Sequence, residues 1–389
     1  THLLESSCNE VSTAICDLIA IQLSNDVKSA KANESTSLLA KWLPSDNASS
    51  AASRRLAKKI ADGMHVDITT YRRIVVNLRA YLKVLERDLS ANRWEHVDYS
   101  AVPSQANLLY RKAFLKHDYD RRTAYLESVK SGEEKINAST LFPHDIVSRY
   151  NAYYGGRRTE DSLESLWKAL PDYVNGSAGT LVVRDGSGSM TIPVQRGSSV
   201  RALDVATALA VYFAERQSGP YKDQFITFSS RPKFVSLANI ATLREKLFRC
   251  SRETEASNTN IEAVFDLILT TAVKNHCKQE ELPKTVLIIS DMEFDCATSS
   301  RVNETLFDAI CRRYQAAGYQ MPKLAFWNVC SRTNGVPMRE NENGVTLVSG
   351  FSPATVKMVL QEETDPFKAM MNVLDSERYA PVVSALKSA

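Results

Sequence analysis

What this chain lacks narrows it first. Only seven of its 389 residues are cysteine, at positions 8, 16, 250, 277, 296, 311 and 330, and no two form a C-x-x-C pair. That excludes a zinc knuckle and a dithiol redox motif, and an odd, scattered set fits reduced thiols in a cytoplasmic or nuclear setting. No stretch approaches 18 apolar residues, so no membrane-spanning helix is expected. No secretory leader is read at the start, which begins at Thr1 without Met, and the N-x-S/T triplets at Asn47, Asn137, Asn175 and Asn303 then read as chance matches. The six histidines show no H-E-x-x-H spacing, and His117-Asp118 and His144-Asp145 read as local caps rather than catalytic pairs. Charge of one sign is also scarce: 48 Lys and Arg against 45 Asp and Glu leave +3, too little to advertise nucleic acid by itself.

What is present is ordinary in bulk and specific in pattern. With 44% hydrophobic and 24% charged residues, the chain reads as globular and long enough for two domains. Helical spacing dominates residues 1–175. Val11, Ala14, Ile15, Leu18, Ile19 and Leu23 form one stripe, and Lys41-Trp-Leu-Pro44 ends a helix. Arg54–Ala61 is a short helix stopped by Gly63, and Ile68–Leu89 reads as one long helix. Further helices open at Ser104, Arg121, Pro143 and Ser162, with Gly155-Gly156 as a breaker. Consecutive helices without a strand suggest an antiparallel array or solenoid, HEAT-like in character, although no clean period is visible.

Residues 176–389 alternate strand and helix. Strands are expected at 180–184, 225–228, 233–236, 285–290, 324–329 and 345–348. Helices are expected at 200–217 (amphipathic), 240–248, 261–275, 303–316, 353–361 and 366–374. Alternation of this kind implies parallel βαβ units, and Ser229-Ser-Arg-Pro232 reads as the tight turn of a single hairpin.

The first of these strands ends in Asp185-Gly-Ser187-Gly-Ser189-Met190. Ligands of open α/β sheets bind just outside the carboxyl ends of strands. One carboxylate and two hydroxyls arriving there offer hard oxygen donors of the kind Mg²⁺ prefers, with the glycines letting the backbone curl. Two further pieces follow in order: Thr259 in Ser257-Asn-Thr259-Asn, before a helix, and Asp291, ending the apolar run Val286-Leu-Ile-Ile-Ser290. Glu293 and Asp295 read as solvated loop acids, and Arg184, pointing away from its neighbour by strand alternation, as a surface residue.

This trio resembles the metal-ion-dependent adhesion site of von Willebrand factor A domains. The resemblance implies that Asp185, Ser187, Ser189, Thr259 and Asp291 hold one divalent cation, Mg²⁺ or alternatively Mn²⁺ or Ca²⁺. It further implies that a coordination position stays open for an acidic oxygen of a partner. Other chemistries fit less well. No Lys follows the glycines as a P-loop requires, G-x-S-x-G is absent, and a haloacid-dehalogenase-like phosphatase would carry Asp where Ser187 stands. No catalytic constellation is found, so no enzyme is expected.

A helical array followed by this domain resembles the Ro autoantigen group, in which a TROVE-type helical module joins an A domain. Leu347-Val-Ser-Gly-Phe351-Ser-Pro353 resembles that group's ending, and Lys41-Trp-Leu-Pro-Ser45, Val102-Pro-Ser104 and Lys135-Ile-Asn-Ala138 are similar to a little-characterised branch of it. The resemblance implies binding of small noncoding RNAs, or of misfolded RNAs with single-stranded ends. Basic clusters on the helices supply groove candidates: Arg54, Arg55, Arg72, Arg73, Arg111, Lys112, Arg121 and Arg122. Aromatics among them could stack unpaired bases. A monomeric, cytoplasmic or nuclear RNA-binding protein is the leading expectation. A scaffold that docks an acidic protein partner through the metal is the alternative, and a metal-dependent hydrolase the third.

Overall fold

The computed structural model describes residues 9–150, 160–174, 179–253, 259–291, 300–330, 345–350 and 366–375. Packing parts the chain into two units, Thr1–Val102 with Ala113–Arg122, and Pro103–Lys112 with Thr123–Ala389.

The first unit is helical. Its elements are α1 (Asn9–Lys31), α2 (Leu39–Trp42), α3 (Ala51–Gly63), α4 (Ile68–Tyr81) and α5 (Leu85–Ser90), with parts of α6 (Ser104–His117) and α7 (Tyr119–Ser131). Cys16, Ile19 and Leu23 of α1 pack with Ala57, Ile60 and Ala61 of α3 and with Tyr71, Val75 and Leu78 of α4. These are the i, i+3, i+4 faces that the sequence spacing gives. At Gly63 the helices come so close that a Cβ would lie 2.6 Å from the Cys16 sulfur, which explains glycine there better than helix termination alone. Ser50 and Asp67 cap α3 and α4, accepting from the Ser53 and Thr70 amides.

The single helix expected over 68–89 is two. Lys83 adopts φ +49°, and the Val84 amide reaches back to the Arg79 carbonyl at 3.3 Å, closing α4 before α5 begins. The apolar period runs on through the break, although α5, unlike α4, holds no fully buried residue.

Before the sheet, the second unit holds the rest of α6 and α7, then α8 (Pro143–Val147) and α9 (Asp161–Lys168). Strands β1 (Thr180–Asp185), β2 (Gln224–Phe228), β3 (Phe234–Ser236), β4 (Thr285–Ser290), β5 (Lys323–Asn328) and β6 (Val345–Ser349) stand in the order β3-β2-β1-β4-β5-β6. All neighbours are parallel except the β2–β3 hairpin. The expected fold class, a helical region followed by a doubly wound, mostly parallel sheet, is what the chain adopts.

Alternation along the strands feeds two cores. Val182, Leu287, Ile289, Ala325 and Trp327 face α10 (Ala202–Arg216), while Leu181, Val183, Ile226, Val286, Ile288 and Phe326 face α12 (Ile261–Lys274) and α13 (Ser300–Ala316). Burial on both faces is why β1 and β4 read as unbroken apolar runs. The remaining helices are α11 (Leu243–Ser251) and α14 (Pro366–Leu374).

Helix α10 was expected to be amphipathic, yet every residue from Ala202 to Ala214 is buried. Its second face is covered by residues of the 143–170 stretch, including Ile146, Val147, Leu163, Leu166 and Trp167, which share its core. Those residues belong by packing to the sheet unit, ahead of the 175/176 boundary expected from composition. Gly155-Gly156, the helix expected at 353–361 and Phe351-Ser-Pro353 lie outside the described residues.

Candidate metal centre

Four of the five proposed ligands, Asp185, Ser187, Ser189 and Asp291, lie where β1 and β4 end. The β1–β4 register pairs Arg184 with Ile289, so Asp185 and Ser290 come level one step further on. There Ser290 Oγ donates to Asp185 Oδ2 at 2.6 Å. The Ser187 amide donates to Asp185 Oδ1 at 2.8 Å, an Asx-type turn that folds the chain back over the strand end. Ser187 Oγ and Ser189 Oγ then stand 3.1 Å apart, half-buried, while Met190 is fully buried and pins the turn into the core. Gly186 and Gly188 do not take positive φ, so the curl comes from the Asp185 side chain rather than from glycine's conformational freedom. Gly188 is exposed, and a Cβ there would meet nothing within 4 Å.

Asp291 follows Ser290 and is as completely buried as Asp185, each with 0% exposure. Burial pushes the Asp185 carboxyl above its ordinary range; the bonds from Ser290 and Ser187 work against that, and the Asp291 charge adds to it. Among the described residues no Lys or Arg forms an ion pair with Asp185. Sealed from water beside a second acid, the Asp185 anion is disfavoured, a conflict that a cation between the two would relieve.

Thr259 precedes α12. The N-cap of that helix is its neighbour Asn260, whose Oδ1 accepts from the Ala263 amide at 3.0 Å. The Thr259 hydroxyl is therefore not used in capping, and among the described residues no hydrogen bond ties it to the other four. Ser257, Glu293 and Asp295 lie outside the described residues.

This donor set fits a hard divalent ion: two carboxylates supply charge and three hydroxyls supply neutral oxygens. Among the described residues no group of three or more His, Cys, Asp or Glu could hold a metal, so any site here depends on hydroxyl donors. Sequence reasoning missed Ser290. Its role follows from strand register, and its only trace in sequence was a polar residue closing an otherwise apolar run.

Arg184, expected at the surface, is fully buried. It donates to Thr207 Oγ1 at 3.2 Å and to the Glu253 carbonyl at 2.8 Å, with its guanidinium 5.5 Å from the Phe225 ring. In a central strand covered on both faces, alternation leads to the other core and not to solvent.

The basic candidates separate by burial. Arg122 is 0% exposed and lies over the Tyr99 and Phe114 rings, at 5.0 and 5.2 Å. Arg111 is buried and its Nε meets Glu160 Oε1 at 2.6 Å. Neither can line a groove; both are core residues, because aromatic faces and a carboxylate compensate their desolvation. Arg121 is exposed but donates to the Trp94 and Val97 carbonyls and to Asp118, Arg54 to the Ala48 and Ser49 carbonyls, and Arg72 pairs with Asp46. Arg55, Arg73 and Lys112 are exposed, Lys112 in the sheet unit. Of the two His-Asp pairs, Asp145 caps α8 by accepting from the Phe142 amide at 2.8 Å, as expected of a local cap.

No helix among the described residues is long and apolar enough to cross a membrane. In comparisons with known proteins, residues 6–178 match a family model described as Domain of unknown function (DUF2828). Protein L728 of Acanthamoeba polyphaga mimivirus is 30% identical over 390 residues, covering 94% of this chain and 66% of that protein, so the chain spans just under two thirds of this relative. Among solved structures, the chain is similar to the RO (RSR) protein of Deinococcus radiodurans, with 14% identity, 92% of this chain and 85% of that chain covered, and a TM-score of 0.44. It is also similar to proximal thread matrix protein 1 of the mussel byssus, in a structure with a zinc-occupied MIDAS motif, with 14% identity, 48% and 47% of the two chains covered, and a TM-score of 0.31. Residues 179–381, more than half of the chain, match the model described as Domain of unknown function (DUF7788), and the chain belongs to that family.

Proposed function

We propose that this protein acts by binding rather than turnover, taking a divalent cation at the ends of β1 and β4 and using it to hold an anionic oxygen of a partner. The observation that carries this reading is the pair of wholly buried carboxylates, Asp185 and Asp291, converging with the adjacent Ser187 and Ser189 hydroxyls. Asp185, Asp291, Ser187, Ser189 and Thr259 are the residues that would hold the ion, Mg²⁺ first, with Mn²⁺ or Ca²⁺ as substitutes. The bound ion would neutralise the two acids and offer an open position to a carboxylate or phosphate. Ser290 positions Asp185. Calorimetric titration of the purified chain with MgCl₂, MnCl₂ and CaCl₂ tests the site; heat that vanishes in Asp291→Asn supports it, and no binding of any of the three at millimolar concentration rejects it.

A second reading, RNA binding by the helical unit, is favoured by a separate observation. Arg54, Arg55, Lys58 and Lys59 on α3 and Arg72 and Arg73 on α4 are all exposed within one unit. Phosphate contacts by such residues weaken steeply with salt. A structured RNA with a single-stranded tail, compared with a blunt duplex across a salt series with and without EDTA, separates the readings. Tail-dependent, salt-sensitive binding that survives EDTA assigns RNA to the helices and leaves the cation for another partner.

A further inference from the structure

We propose that Trp42 is a stacking platform for an unpaired base of single-stranded RNA; this rests on the RNA reading above and deepens it. Trp42 ends α2 and is 75% exposed, the largest exposure among the big apolar side chains described. An indole left in water forgoes the burial that stabilises such a side chain, so its placement needs a reason.

The outward pose is built into the fold. Its neighbours Ala40 and Leu43 are buried. From α4, Arg79 donates to the Ala40 carbonyl at 2.9 Å, to the Leu43 carbonyl at 2.6 Å and to Ser45 Oγ at 2.7 Å. Tyr71 donates to the Pro44 carbonyl at 2.8 Å, and Arg72 pairs with Asp46. The backbone on both sides of Trp42 is thus clamped, and a clamped aromatic loses little conformational freedom when a ligand covers it.

The other three tryptophans are occupied. The Trp167 N–H reaches Glu215 at 2.7 Å and the Trp327 N–H reaches the Gly350 carbonyl at 2.6 Å. Trp94 stacks on His117 at 4.5 Å and donates to Asn92. Trp42 has no ring hydrogen bond among the described residues.

Charge selects the occupant. Lys41 Nζ lies 5.4 Å from the Trp42 ring centroid. The acceptors that hold Arg79 are all neutral, so they leave its charge uncancelled beneath the same turn. A π-face with the Lys41 ammonium over it matches a base followed by its phosphate, whereas an apolar peptide side chain would gain nothing from that cation.

The test is fluorescence anisotropy of a labelled 12-nucleotide oligouridylate with the full chain. Loss of one base stack in Trp42→Ala should weaken binding about 5- to 150-fold without changing the salt slope. Trp42→Phe should retain affinity, and Lys41→Ala should lower the slope by about 0.7. RNA should also quench the emission of the wild-type chain but not that of Trp42→Phe. Equal affinity of Trp42→Ala and wild type would overturn the assignment while leaving RNA binding standing. No RNA binding by the wild type at low salt would overturn both and leave the Trp42 face to a protein partner.

Discussion

Each unit buries a carboxylate, and the two are treated in opposite ways. Asp26 of the helical unit is 2% exposed and Asp185 of the sheet unit 0%. Burial works to raise Asp26, but the Ser37 hydroxyl and amide and the Gln22 side chain all donate to it, and its carboxyl ends below the ordinary value. Asp185 has Ser290 and Ser187 as donors and Asp291 as a neighbour, and it ends above. Asp26 is a finished structural device, tying α1 to the turn before α2. Burial and the Asp291 charge disfavour the Asp185 anion, a cost that the cation of the proposed reading would remove.

That contrast can be broken by experiment. The largest effect should come from the ion: at one hundred times its Kd it should stabilise the wild type by about 2.7 kcal/mol, and not at all in Asp185→Asn or Asp291→Asn, as read by thermal unfolding. Asp26→Asn should destabilise the chain by about 2 kcal/mol with or without cation, because a charge-assisted acceptor of three bonds is weakened. Asp185→Asn should move the other way in EDTA, gaining about 1 kcal/mol, since an amide keeps the shape and removes a buried acid lying beside Asp291. The smallest effect sharpens the comparison with a buried base. Burial holds the His144 imidazole below its ordinary value of 6.5, against the pull of Asp145 and Asp204. Its neutral form therefore stabilises the fold above pH 6.5, and that contribution is lost as the pH falls below it. Denaturant titrations from pH 7.5 to 5 should show this acid-side loss in the wild type and a flatter profile in His144→Gln.

Much of this was legible in the sequence for a physical reason. β1 and β4 are buried on both faces, so they appear as apolar runs, and an acid closes β1 and directly follows β4. What was not legible depends on partners far along the chain. Ser290 acquires its role from the β1–β4 register. Arg184, Arg111 and Arg122 look like surface charge until the aromatic rings and carbonyls that receive them are in place. Helix α10 loses its polar face because residues 143–170, from the helical half of the sequence, cover it. The end of α4 at Lys83 is invisible for a different reason: a left-handed lysine carries no compositional mark.

The position of β1 in the sheet also sets the order in which the chain can complete itself during synthesis. Its β2 edge can pair early, but its other edge waits for β4, and the bond from Ser290 to Asp185 spans 105 residues. At ribosomal rates of about 5–20 residues per second, that edge stays open for roughly 5–20 s after β1 emerges. The helical unit, which lies ahead of β1 in the chain, can already be folded by then. For that interval an apolar strand edge must be kept from other chains, and the last step that shelters it is the same step that brings the two acids together.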